Sequence, residues 1–98
     1  MESIKIFVLN IDKETLDKSI EFLRSKDFEA DGEIDAEKAV ETFKLKTYDM
    51  AVLGGGINGK TREILKKEFA KTNPGVEVIE HLSHPIEMYD EMVEAFRD

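Results

Sequence analysis

The run Gly54-Gly55-Gly56-Ile57-Asn58-Gly59-Lys60-Thr61 fits G-x-x-x-x-G-K-[ST] at every fixed position. Glycines let backbone N–H groups approach a phosphate closely, and a helix N-terminus behind them adds a favourable dipole. Phosphate or small-anion binding is the chemistry that this spacing supports. Nucleotide hydrolysis asks for more, because a metal must bridge and neutralise the phosphates. No apolar strand ends in a convincing Mg²⁺-binding aspartate, and Asp12 and Glu80 are poor stand-ins. The chain is also short for such an enzyme, and the loop follows the third strand in order rather than the first. A tight turn between strand and helix wants glycine for its own sake, so the loop also has a purely structural reading.

Two smaller groupings offer less. His81 and His84 form H-x-x-H, but they fall at a strand end and loop with only carboxylates as further ligands, so no metal site is expected. Ser83, His84 and an acid could be drawn as a hydrolytic triad, yet adjacent residues rarely aim at one another and no nucleophile elbow is present. No catalytic residue and no cofactor is assigned.

The elements that must position these residues read as four βα units. Ser3–Leu9 is an apolar, β-branched run of the length of a buried strand. Asp12 caps a helix to about Ser25, with Leu16, Ile20 and Leu23 at helical spacing. Phe28–Ile34 reads as a weaker strand whose Gly32 and acids suit a sheet edge. Asp35 caps a second helix with Ala39, Val40 and Phe43 toward the core, and Tyr48–Leu53 is a third, buried strand. A third helix from about Lys60 to Thr72 is expected to bury Ile64, Leu65 and Phe69. Asn73-Pro74-Gly75 is a turn by composition, and Val76–Leu82 is the last strand. Pro85 starts a fourth helix with Met88, Tyr89, Met92, Val93 and Phe96 as its apolar stripe.

Alternating strands and helices predict a three-layer α/β/α sandwich around a four-stranded parallel sheet. Right-handed crossovers with strand order 2-1-3-4 put the first helix on one face and the next two on the other. The terminal helix is expected to close the half-bare first face.

Composition narrows the function classes. Ninety-eight residues make one domain, 1–98, and there are no cysteines for disulfides, thiol catalysis or thiolate metal sites. No apolar run approaches the ~20 residues that span a bilayer, and the N-terminus has no signal-peptide pattern, so a cytoplasmic location is expected. A formal net charge of −8 repels nucleic-acid phosphates and anionic lipid, so neither nucleic acid nor membrane is an expected partner. The imbalance is uneven: Lys60, Arg62, Lys66, Lys67 and Lys71 crowd one segment, while Glu87, Asp90, Glu91, Glu94 and Asp98 crowd the last. These are solvated helix faces, or a basic patch that meets an acidic partner or another copy's tail.

Across nearly its whole length the chain resembles the response-regulator receiver domain, a flavodoxin-like fold. Lys5-Ile6-Phe7-Val8-Leu9-Asn10-Ile11-Asp12 is similar to a receiver's first strand and acidic pocket. Phe28-Glu29-Ala30 through Ala36-Glu37-Lys38-Ala39-Val40 is similar to the second strand and its helix, and Tyr48–Leu53 to the strand ending in the phosphoacceptor. Gly56-Ile57-Asn58-Gly59 looks like the glycine-containing loop that follows. The departures bear on function. The acid-pair positions read Asn10 and Ile11, the acceptor position reads Gly54, and His81 and Leu82 stand where a hydroxyl residue is expected. No fifth strand carrying the lysine is visible, although His84-Pro85 could echo that lysine-proline element. The resemblance therefore implies a degenerate receiver without aspartyl-phosphate chemistry.

Two functions follow as expectations. One is a phosphorylation-independent interaction module, acting on an unknown protein partner or on itself. The other is a small-ligand or phosphate-binding domain. Its site would lie at the switch point beyond the strand ends, using Asn10, Asp12, Gly54, Gly55, Gly56, Asn58, Gly59, Lys60 and Thr61, with His81 or Ser83 at the margin.

Overall fold

A computed structural model of the chain describes residues 4–54 and 57–80. Four strands and three helices alternate through them: β1 (Lys5–Leu9), α1 (Lys13–Ser25), β2 (Glu29–Glu33), α2 (Ala36–Phe43), β3 (Met50–Leu53), α3 (Gly59–Thr72) and β4 (Glu77–Glu80). The strands form one parallel sheet in the order β2-β1-β3-β4. Fold class, strand order and the faces taken by α1, α2 and α3 agree with the sequence expectation.

The pleat explains the two-sided core. Phe7 and Leu9 of β1 face one side with Ala51 and Leu53 of β3, where Ala39 and Phe43 of α2 and Leu65 and Phe69 of α3 close over them. Ile6 and Val8 face the other side with Met50 and Val52, against Leu16 and Leu23 of α1. Because both faces are covered, the central strands carry continuous apolar runs rather than alternation. An aromatic cluster fills the α2–α3 side: Phe43 stacks on Phe69 at 4.2 Å between centroids, and Phe7 meets Phe43, Tyr48 and Phe69 edge-on at 5.4–5.9 Å.

Local chemistry sets the helix starts. The Asp35 carboxylate accepts from the Glu37 and Lys38 amides at the start of α2, and the Asn58 side chain accepts from the Thr61 amide at the start of α3. Asn73 ends α3 and reaches back, its Nδ2 donating to the Tyr48 carbonyl at 2.6 Å while its Oδ1 accepts from the Gly75 amide.

Two details differ from expectation. Ile64 is 50% exposed rather than buried, because Leu65 and Phe69 already occupy the core-facing side of α3. Tyr48 precedes β3 rather than belonging to it, and its ring is buried while its hydroxyl donates to Asp31 at 2.8 Å. The expected fourth helix, with His81, Leu82, Ser83, His84 and Pro85 before it, lies outside the described residues, as do Gly55 and Gly56. Among the described residues no helix is long and apolar enough to cross a membrane.

Candidate functional site

The carboxyl ends of β1 and β3 meet where the strand order reverses, which is where ligands gather in open parallel sheets. Parallel pairing aligns Leu9 with Leu53, and the Gly54 amide donates to the Leu9 carbonyl at 2.8 Å. This ladder places Asn10 directly against Gly54. A Cβ on Gly54 would stand 2.8 Å from Asn10 Cγ and closer still to Asn10 Nδ2, distances that real side chains do not tolerate. The Asn10 side chain thus fills the space that a longer residue at position 54 would use. Its Oδ1 accepts from the Asp12 amide at 2.9 Å, a local turn that fixes the amide there.

Asp12 does not join Asn10 and Gly54 as a polar pocket. Its carboxylate accepts from the Thr15 hydroxyl at 2.6 Å in the first turn of α1. That hydrogen bond, more than any nearby charge, holds the carboxyl below its ordinary range. Ile11, between the two, is 55% exposed. Among the described residues no three His, Cys, Asp or Glu side chains converge as metal ligands.

The glycine-rich segment is tied down by a residue that sequence reasoning placed only in a basic patch. Arg62, with 13% of its side chain exposed, turns back under the start of α3. Its Nη2 donates to the Gly54 carbonyl at 2.6 Å and its Nε to the Ile57 carbonyl at 3.0 Å. Glu80 at the end of β4 receives Arg62 Nη1 at 3.4 Å and Lys66 at 3.2 Å, and the Lys66 contact leads in keeping its carboxyl low. Among the described residues of this segment, two carbonyls thus converge on an internal cation. The Thr61 amide is already spent on Asn58 at 2.8 Å. Lys60 and Gly59 sit in the exposed first turn of α3, and Lys60 forms no ion pair among the described residues. The structure therefore brings Asn10 and Gly54 together, and sets Asn58, Gly59, Lys60 and Thr61 side by side at one helix start. His81, Gly55 and Gly56 fall outside the described residues.

What the strand ends do form is an apolar cleft of about 260 Å³, lined by Leu9, Ile11, Ile34, Ala36, Ile57, Asn58 and Thr61. Ile34, just past β2, is 43% exposed, and Ile57 is buried at the cleft wall. The sequence signal for this cleft was present in three isoleucines, each in the loop after a different strand. They share no periodicity along the chain, so only the fold brings them together.

No protein-family model matches the chain, and neither does any curated protein. Solved structures do match. The CheY-like response regulator receiver domain from Methanospirillum hungatei superposes with a TM-score of 0.84 at 13% identity, covering 96% of this chain and 94% of that one. The receiver domain of the hybrid histidine kinase CckA gives 0.70 at 15% identity, covering 95% and 99%. The response regulator DrrB of Thermotoga maritima gives 0.67 at 21% identity, covering 99% of this chain and 44% of that one. At these identities the likeness is one of fold.

Proposed function

We propose that this chain, which carries the receiver-domain fold, is an interaction module that works by contact with another protein and independently of phosphorylation. One observation carries the reading. Gly54 stands just past β3 with the Asn10 amide packed against it, so the acceptor position offers no nucleophile, and a side chain there would have to displace Asn10. Aspartyl-phosphate formation requires a carboxylate nucleophile and hard oxygen ligands for Mg²⁺. The reading assigns no catalytic step to the chain.

The test is direct. The protein is incubated with acetyl phosphate and Mg²⁺, and separately with beryllofluoride, and followed by intact mass and amide NMR. An unchanged mass and unchanged resonances at Asn10, Asp12 and Gly54 are expected. A phosphoryl adduct, or beryllofluoride shifts centred on Gly54, overturns the proposal.

A second reading, phosphate or small-anion binding at the start of α3, is favoured by Lys60, which forms no ion pair among the described residues. Titration with inorganic phosphate and ATP decides it. Shifts at Asn58, Gly59, Lys60 and Thr61 that vanish in Lys60→Ala support it, and flat spectra at millimolar ligand discard it.

A further inference from the structure

Where a receiver would hold its acidic chemistry, this chain exposes aliphatic side chains beside lysines. Ile11 is 55% exposed and Ile34 43%, and both border the cleft that Leu9, Ala36 and Ile57 continue inward. Thr61 lines the same cleft, and Ile64 follows it by one helical turn with 50% of its surface exposed. Along α3, Lys60, Ile64, Lys67 and Lys71 recur at i, i+4, i+7 and i+11, which sets them on one outward strip. Lys60 and Lys67 form no ion pair among the described residues, and Lys71 holds only Glu68 at 3.6 Å. In a chain with a net charge of −8, this strip is a local reversal of sign.

An apolar recess next to a strip of ammonium groups has a definite complement. We infer that the cleft and the α3 strip together dock an acidic peptide segment of a partner protein. One large apolar side chain of that segment enters between Ile11, Ile34 and Ile57, and flanking carboxylates meet Lys60 and Lys67. The volume, about 260 Å³, suits a single anchoring side chain rather than a whole helix face. The charges select and orient the segment, while burial of the anchor supplies the affinity. The inference rests on the interaction-module reading and names the partner's chemistry.

The experiment is an amide NMR titration of the full chain with a short synthetic peptide bearing one phenylalanine flanked by glutamates. Shifts are expected at Ile11, Ile34, Ile57, Asn58, Thr61, Ile64 and Lys67, weakening as NaCl is added. Lys60→Glu with Lys67→Glu should weaken binding about tenfold. Ile34→Ser should weaken it as well, since Ile34 is exposed and its replacement leaves the fold intact. A peptide with alanine for phenylalanine, or lysine for glutamate, should leave the spectrum flat.

Flat spectra with the acidic peptide at millimolar concentration overturn the inference, as does an affinity that the double charge reversal leaves unchanged. Octanoate giving these shifts when the peptide does not would assign the cleft to a small carboxylate instead. Concentration-dependent self-association abolished by the double reversal would assign it to a second copy. Both results overturn the partner-segment assignment. Phosphodonor insensitivity is a separate measurement, so the module reading can stand while this inference fails.

Discussion

Arg62 joins the residue just past β3 to the residue that leads into α3. Two carbonyls, of Gly54 and Ile57, take their hydrogen bonds from one guanidinium that is largely withdrawn from solvent. Truncation to alanine would leave both carbonyls without that donor, at a cost of about 1–3 kcal/mol. Urea denaturation of Arg62→Ala should show a lowered midpoint with an unchanged slope, and Arg62→Lys should recover only part of it because an ammonium lacks the planar fork. An unshifted midpoint would mean that water replaces the guanidinium freely. Gly54 offers a second test at this scale. Gly54→Asp forces a Cβ to 2.8 Å from Asn10 Cγ and should destabilise by about 1–3 kcal/mol through overpacking. Asn10→Gly in the same chain should recover most of that loss in the same urea assay. If the single variant is as stable as the parent, Asn10 moves aside easily and does not bar a side chain from position 54.

At the scale of elements, a hydrogen-bonded charge pair adds to the ladder that holds the outer strand β2. Asp31 accepts from Lys46 at 2.9 Å and from the Tyr48 hydroxyl at 2.8 Å, clasping β2 to the connection between α2 and β3. Burial by itself would raise the Asp31 carboxyl, but the Lys46 and Tyr48 hydrogen bonds outweigh it and hold the group below its usual 3.8. Burial and the same bond hold the Tyr48 phenol well above its ordinary range. A depressed carboxyl stabilises the fold above its unfolded value and loses that contribution as pH falls through the folded one. Asp31→Asn should therefore melt below the parent at neutral pH, and the gap should close as pH is lowered beneath 3.8. A gap that stays constant to low pH would mean that the carboxylate charge is not what secures β2. The edge character of β2 was legible from Glu29, Asp31, Gly32 and Glu33, since charge and glycine mark an edge. The clasp was not, because its partners lie 15 and 17 residues away and only the fold brings them together.

For the molecule as a whole, βα alternation predicted the parallel sheet, and crossover handedness with the strand order 2-1-3-4 predicted the sides taken by α1, α2 and α3. The position of Gly54 followed from the same pattern. The apolar cleft did not, because it is assembled from three loops whose isoleucines share no periodicity. Nor did the exposure of Ile64, which depends on how α3 is rotated about Leu65 and Phe69. Net charge was legible from composition and has a consequence for the whole chain. The sequence carries 22 acidic against 14 basic residues. Ion pairs such as Lys13–Asp17 and Lys18–Glu14 span single helical turns between side chains that are 63–77% exposed. Such pairs contribute little, so screening them costs little. Self-repulsion at a net charge of −8 acts over the whole surface, and screening relieves it. Raising NaCl from about 0.01 M to about 0.15 M shortens the Debye length from about 30 Å to about 8 Å. The melting temperature at pH 7 should then rise by a few degrees, the response of a chain this size to a gain below about 1 kcal/mol. Near pH 4.8, where the sequence carries no net charge, the same salt step should leave the melting temperature unmoved. Chloride is the right anion for this comparison, because sulfate strengthens apolar burial on its own account. A fall with salt at pH 7 would mean that the surface pairs outweigh the net field, and that self-repulsion does not limit the stability of the fold.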